Sequence, residues 1–433
     1  MNRQMHLGLF LLGTGSHSAG WRYPGAVKSF LDLPAMQRIA QTAERACFDM
    51  IFLGDNLNAD FATHPSYTLR HEPLTLLSAL AMGTRHVGLG ATMSTTYSDP
   101  YTVARVFASL DHLSGGRAAW NAVTTSHAGA AANFGTVHPD HARRYEMAGE
   151  FVDVVKGLWD CWDDDAVVAD VDGGTYIDTS KVHALDHEGA FFKVKGPLNT
   201  SRSPQGRPVV LQAGGSEPGT DLAARTADVV FSVAQDMEEA RKAYAALKAK
   251  LPRYGRQASD VTVLPGVMPV VGRTDREARE KLNRLQGFIG TGNALGVLSE
   301  RFGVDFSSYD LDAPVPELPP SDAYQAFTKV LLSKARRDGM SLRDLYSLTA
   351  AARGHWVLCG SAENVADTLQ QWFESGAADG FNVMPPYFHE GFDDFVELVV
   401  PILQRRGLFR SSYAGPLLRD QLGLLRPAVE RAR

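Results

Sequence analysis

The stretch Pro208-Val-Val-Leu-Gln-Ala-Gly-Gly-Ser216 decides the fold. Pro208–Gln212 is a short apolar run and reads as a buried strand. Ala213-Gly-Gly-Ser216 reads as a turn, and a helical pattern covers Asp221–Thr226. The next run, Val229–Ser232, follows almost at once and leads into a helix over Met237–Leu251. Strand, helix, strand, helix with short joints predicts parallel strands with crossover helices.

The same alternation extends in both directions. Upstream, His6–Leu12 precedes helix Leu33–Cys47, and Met50–Leu53 precedes Glu72–Met82. His86–Thr92 then precedes Pro100–Leu113, and Arg117–Thr124 precedes a long helix over about Asp140–Trp162. Downstream come strand Val261–Val271, helix Ala362–Ser375, strand Gly380–Met384 and helix Phe392–Arg405. The pattern assigns no element to residues 355–361. Eight strands predict an α/β fold, a closed (β/α)8 TIM barrel, with the active site at the C-terminal strand ends. No G-x-G-x-x-G joins the first strand to its helix, which weighs against a dinucleotide-binding open sheet.

Such a barrel takes about 250 residues, so about 180 of the 433 lie beyond it. The expected layout is one domain, 1–433, with insertions at about 163–207 and 274–354 and a tail from about 408. The first insertion is rich in Asp, Gly and Pro. The second carries the Pro-rich segment Ala313–Ser321. Long loops of this kind are usually lids or binding loops, and both insertions are expected near the barrel mouth.

Composition narrows the function. Forty-three basic residues against 49 acidic ones leave a net charge of −6, and no basic arm is present, so nucleic acid is not an expected partner. The apolar segment Leu7–Leu12 is too short for a signal peptide core or a membrane span. Cys47, Cys161 and Cys359 are few and scattered, which fits a reducing compartment. A cytoplasmic enzyme without a membrane partner is expected. His183 and His187 stand four apart beside Glu188, but no third ligand follows at a fixed spacing, so no metal is expected.

The strand ends carry hydrogen-bonding residues: His17, Asp55, Thr92, Ser94, Thr125 and Asn133. There is no G-x-S-x-G elbow and no pair of catalytic carboxylates. This suits a site that holds a polar cofactor and leaves the chemistry to it. Gly214-Gly-Ser216 before a helix can admit an anion, because glycines let the backbone approach and helix-start N–H groups favour negative charge. His141 and Tyr145 share a helix face and can add donors to a phosphate. The same residues also fit a plain strand-to-helix turn, a surface histidine and a core tyrosine.

The sequence resembles the bacterial-luciferase-like flavin monooxygenases. Within them it is most similar to the branch of nitrilotriacetate monooxygenase component A and dibenzothiophene-sulfone monooxygenase. The matching pieces include Trp21-Arg22, Phe52-Leu-Gly-Asp55, Ala91-Thr-Met-Ser-Thr95, Leu113-Ser-Gly-Gly-Arg117, Asn133-Phe-Gly135 and Arg144-Tyr145. They continue through Gln212-Ala-Gly214, Asp379-Gly-Phe381 and Arg406-Gly-Leu-Phe409.

The resemblance implies a luciferase-like barrel that binds FMN as FMNH2, with O2 as co-substrate. A C4a-peroxyflavin would then oxidise a small organic substrate such as an aminopolycarboxylate or an organosulfur compound. It also implies a separate NAD(P)H:flavin oxidoreductase as partner, and a homo-oligomer. Carried over by position, Asp55, Thr92, Ser94, Thr125, Asn133, His141, Tyr145, Gly215 and Ser216 bind the cofactor. Gly215 stands where some relatives carry serine. His17 is the candidate catalytic residue, stabilising the peroxyflavin or relaying a proton. Trp21, Leu57, Phe61 and Tyr97 are candidates for an apolar wall, and Arg22 and Arg70 for contact with an anionic substrate. An F420-dependent oxidoreductase on the same barrel and a non-catalytic flavin-binding protein are the alternatives.

Overall fold

A computed structural model describes residues 3–59, 61, 65–292, 294–318 and 325–430. Nine strands form its main sheet: β1 His6–Phe10, β2 Met50–Leu53, β3 Gly88–Ser94, β4 Ala118–Val123, β5 Val209–Gln212, β6 Val229–Ser232, β7 Thr262–Gly272, β8 Trp356–Ser361 and β9 Gly380–Val383. All pairings in it are parallel. The order β1-β2-β3-β4-β5-β6-β7-β9 closes where Leu7 pairs with Phe381. This is a closed eight-stranded barrel with helices between strands. The unassigned stretch 355–361 contains the ninth strand. β8 runs along the outer half of β7, from Val267↔Trp356 to Gly272↔Ser361, where β7 has outrun its pairing with β6.

Local chemistry sets the helix starts. The side chains of Asp32, Asp99, Asp140 and Asp236 each accept a backbone N–H in the first turn of the helix they precede. Helix Pro100–Ser114 ends on Gly115, which takes the left-handed conformation (φ 67°) that glycine adopts without strain.

Side chains alternate across each strand. Leu7, Leu9, Ile51, Leu53, Leu89 and Trp120 face the helix layer. Phe10, Met50, Phe52, Ala119, Val209, Leu211 and Val229 face the barrel interior. The tail plugs the bottom of that interior with Leu418 and Leu422. Gly88, the first residue of β3, is needed there, since a Cβ on it would stand 2.6 Å from a Leu418 methyl.

The first insertion lies elsewhere than expected. Its hairpin pairs His187–Glu188 with Lys193–Val194, and Phe192, Val194 and Leu198 join the core formed between the helices and the sheet. Glu150, on helix His141–Trp159, accepts the backbone N–H groups of Phe191 and Phe192 and faces His187 Nε2 at 3.0 Å. The insertion is thus docked on the flank of that helix, and none of its residues lines the cavity at the mouth. The second insertion carries helices Asp275–Gly287, Ala294–Phe302, Gln325–Arg337 and Leu342–Ala352, with an apolar cluster of its own. Residues 319–321 of the Pro-rich segment lie outside the described residues.

Candidate active site

The C-terminal ends of the strands surround a cavity of about 690 Å³. Its floor is aromatic, because β1, β2 and β6 each turn a phenylalanine inward at the same level. Phe10 stacks on Phe52 with ring centroids 5.0 Å apart, and Phe231 meets both at 5.6 and 5.7 Å. Behind Phe231 lies His355, parallel to it within 7°. Burial, then Arg353 and Arg301, push the imidazole of His355 down to about 3, so it is neutral near pH 7.

One side of the cavity is built around the turn after β5. Ser216 caps helix Glu217–Thr226, its hydroxyl accepting the N–H of Gly219 at 3.3 Å. Helix His141–Trp159 brings Tyr145 to the same point. A Cβ on Gly214 would stand 3.1 Å from Tyr145 Oη, and one on Gly219 would stand 3.0 Å away. The two glycines therefore let a phenol rest on the start of a helix, where unshared N–H groups point outward. His141 lies one turn before Tyr145, with ring centroids 4.9 Å apart. These parts make an anion cradle with side-chain and backbone donors.

The wall between β3 and β4 is polar. Asn121 donates to Thr92 Oγ1 at 2.8 Å, and the hydroxyls of Ser94 and Thr125 meet at 2.7 Å. Arg144 donates to the carbonyls of Thr124 and Thr125, both at 3.0 Å, and so ties the cradle's helix to the loop after β4. Thr125 has φ 32°, a conformation costly for a β-branched residue that these contacts hold in place. Across the mouth, Arg70 stands 3.8 Å from Asp55. Burial pushes the Asp55 carboxyl above its usual range, despite the N–H of Asn56 and the charge of Arg70.

The profile described as "Luciferase-like monooxygenase" matches residues 5–379, from the start of β1 to the start of β9. The chain belongs to the luciferase-like monooxygenase family. It is 45% identical to N-acetyl-S-(2-succino)cysteine monooxygenase of Bacillus subtilis (strain 168), covering 100% of this chain and 99% of the relative. Nitrilotriacetate monooxygenase component A of Aminobacter aminovorans is 43% identical, with 98% of each chain covered. A crystal structure of riboflavin lyase with modified FMN and substrate riboflavin superposes with a TM-score of 0.87 at 34% identity. It covers 97% of this chain and 96% of that one. This luciferase-like monooxygenase is therefore an enzyme of known architecture, and the two curated relatives above are named as monooxygenases. Among the described residues, no helix is long and apolar enough to cross a membrane.

Eight of the residues expected at the site of this luciferase-like monooxygenase line one cavity: Asp55, Thr92, Ser94, Thr125, His141, Tyr145, Gly215 and Ser216. Two do not. Asn133 lies outside the lining and donates to the carbonyl of Leu57. His17 also lies outside it, 1% exposed, with Nδ1 accepting the N–H of Ala19 at 3.1 Å. The loop after β1 is drawn toward the loop after β9 and the end of the second insertion. The N–H of His17 donates to Pro386, and that of Ser18 to Ala350.

Leu57 and Tyr97 are on the cavity wall, and Tyr97 stacks on Phe134 at 4.9 Å. Phe61 is 73% exposed and outside the wall. Trp21 and Arg22 line a second pocket of about 440 Å³ with Phe288 and Tyr346 of the second insertion. Among the described residues no group of His, Cys, Asp and Glu is arranged to hold a metal ion. Sequence reasoning passed over the aromatic floor and Arg353. The floor has a readable signal, since Phe10, Phe52 and Phe231 each occupy the last or next-to-last position of a strand.

Proposed function

We propose that this protein is the oxygenase component of a two-component system, using FMNH2 and O2 to oxidise a small organic substrate. The observation that carries this reading is the cradle of Tyr145, Gly214, Ser216 and the start of helix Glu217–Thr226, set at one side of a cavity with an aromatic floor. The donor set fits a phosphate monoester. A volume of about 690 Å³ lies within the usual range for ligand pockets, roughly 300–1,000 Å³.

In this reading Tyr145, His141 and Ser216 hold the phosphate with the free N–H groups around Gly215. Hydrogen bonds to a charged group are worth about 1.5–3 kcal/mol each. Thr92, Ser94, Thr125, Asn121 and Asp55 would then be left for the rest of the flavin, whose reduced form, when bound, would supply the electrons that activate O2. One oxygen atom enters the substrate and the other leaves as water. Phe10, Phe52 and Phe231 keep water from the floor, and Leu57 and Tyr97 do so at the wall.

A separate NAD(P)H:flavin oxidoreductase supplies the FMNH2, in keeping with the "component A" in the name of one relative. The substrates named for the two curated relatives are a thioether and a tertiary amine that carry carboxylates. Oxidation beside sulfur or nitrogen is the corresponding reaction here.

The test couples the purified chain to a generic flavin reductase with NADH, FMN and air, and offers N-acetyl-S-(2-succino)cysteine and nitrilotriacetate. Substrate loss that requires both FMN and O2 is expected, with products followed by mass spectrometry. Failure to bind reduced or oxidised FMN, together with anaerobic oxidation of reduced F420, would instead establish the hydride-transfer alternative.

A further inference from the structure

We propose that Arg70 and Arg353 together form the subsite that receives a carboxylate of the substrate. The inference rests on the reading of this cavity as an oxygenase site and assigns its specificity to two residues far apart in sequence.

Both residues line the cavity, and both meet Tyr67. Arg70 Nη2 donates to the Tyr67 carbonyl, and the Arg353 guanidinium carbon lies 5.2 Å from the centroid of the Tyr67 ring. Arg353 comes from the second insertion. Helix Leu342–Ala352 ends on it, in the left-handed conformation (φ 52°), and the chain then enters β8.

The acidic residues nearby pair only weakly with these two cations. Burial and the neighbouring Arg353 both lower the pKa of Arg70, so the two cations repel across a partly dry space. Asp55 answers Arg70 only at 3.8 Å, and burial works against its ionisation. Glu72 turns its carboxylate away, accepting the N–H groups of Leu74 and Thr75 and the Thr75 hydroxyl. Among the described residues Arg353 has no carboxylate within ion-pair distance. A carboxylate bridging the two would be held by flat donor forks that match its geometry.

The subsite is distinct from the phosphate cradle. Arg70 follows β2, the cradle follows β5, and β3 and β4 lie between them in the barrel. FMN has one phosphate, so a second anion site at the same mouth belongs to the other reactant.

The test measures binding of succinate and of its uncharged analogue succinamide to the FMN-loaded chain by calorimetry. Wild type should prefer succinate by about tenfold or more. Arg353→Asn, a residue that tolerates the left-handed conformation, should lose that preference, and Arg353→Lys should keep part of it. FMN affinity and Tm should stay as in wild type. No preference in wild type, or an unchanged preference in Arg353→Asn, overturns the proposal. So does a loss of FMN affinity with the preference intact, which would place the guanidinium on the flavin. If wild type binds no FMN, the oxygenase reading falls instead, and the succinate measurement without FMN still decides the subsite.

Discussion

The hydroxyl of Tyr145 rests on the backbone of Gly214, and a Cβ there would stand 3.1 Å from Tyr145 Oη and 3.0 Å from the Cα of Gly219. A methyl at this point must push one of them aside. Gly214→Ala should weaken FMN binding about tenfold, the loss of one hydrogen bond to a charged group, with little change in Tm. Ser216→Asp separates the two roles of Ser216, because it keeps the helix cap and brings a negative charge to the phosphate. It should retain Tm and lose FMN affinity in a fluorescence titration. Wild-type affinity in both variants would remove the cradle from the cofactor site.

Asp49 is fully buried at the start of β2, bonded to Arg410 of the tail, to His6 Nδ1 at 2.9 Å and to the N–H of Leu7 at 2.7 Å. Burial raises its pKa, but Arg410 and His6 more than offset this and hold the carboxyl below its usual value of 3.8. The folded-state value lies below the unfolded one. The pair therefore stabilises fully above about pH 4 and is lost as pH falls through the folded value. Arg410→Met should cost about 3–5 kcal/mol at neutral pH, since it strands a buried charge. It should also move the acid-unfolding midpoint to higher pH. Urea midpoints at pH 7 and an acid titration followed by circular dichroism check both.

His355 sets a second pH dependence. Its folded pKa, about 3, lies below the ordinary 6.5, so the unfolded chain takes up a proton that the folded one refuses. Stability is fully present above about pH 6.5 and falls as pH drops from there toward 3. His355→Phe, which preserves the stack on Phe231, should flatten stability against pH in that window by up to about 1.4 kcal/mol per pH unit. Parallel curves for variant and wild type would mean that the fold does not lower the pKa of His355.

Arg117, from the Leu113–Arg117 motif, is a structural residue. It is 2% exposed, and its guanidinium donates to the carbonyls of Ala81, Thr84, Val87 and Ser114 and to the Thr84 hydroxyl. Arg117→Met leaves those carbonyls buried without donors, at about 1–3 kcal/mol each. A loss of stability on the order of 3 kcal/mol or more is expected, with FMN affinity unchanged in the fraction that stays folded. An equal urea midpoint would refute this role.

Much of the site was legible because its signals are local. A strand followed by two glycines and a serine cap predicts a turn wherever it occurs, and Tyr145 sits one turn from His141 on any helix. β8 is not legible locally because it pairs only with the outer half of β7, and nothing within residues 355–361 tells where that half will lie. His17 follows β1 in the chain. The direction of its side chain depends on Pro386 and Ala350, more than 300 residues away.

The sequence by itself determined the barrel, through eight apolar runs whose alternation with helices leaves parallel pairing as the consistent outcome. It also determined the turn after β5 and the Ser216 cap, since capping and turn preferences act over a few residues, whereas the meeting of Tyr145 with Gly214 is tertiary. Tertiary structure alone decided that the first insertion lies on a helix flank, that the tail seals the barrel floor, and that Arg353 reaches the cavity beside Arg70. These outcomes depend on sheet closure and on packing between distant segments, whose energies belong to contacts that no short window of sequence contains.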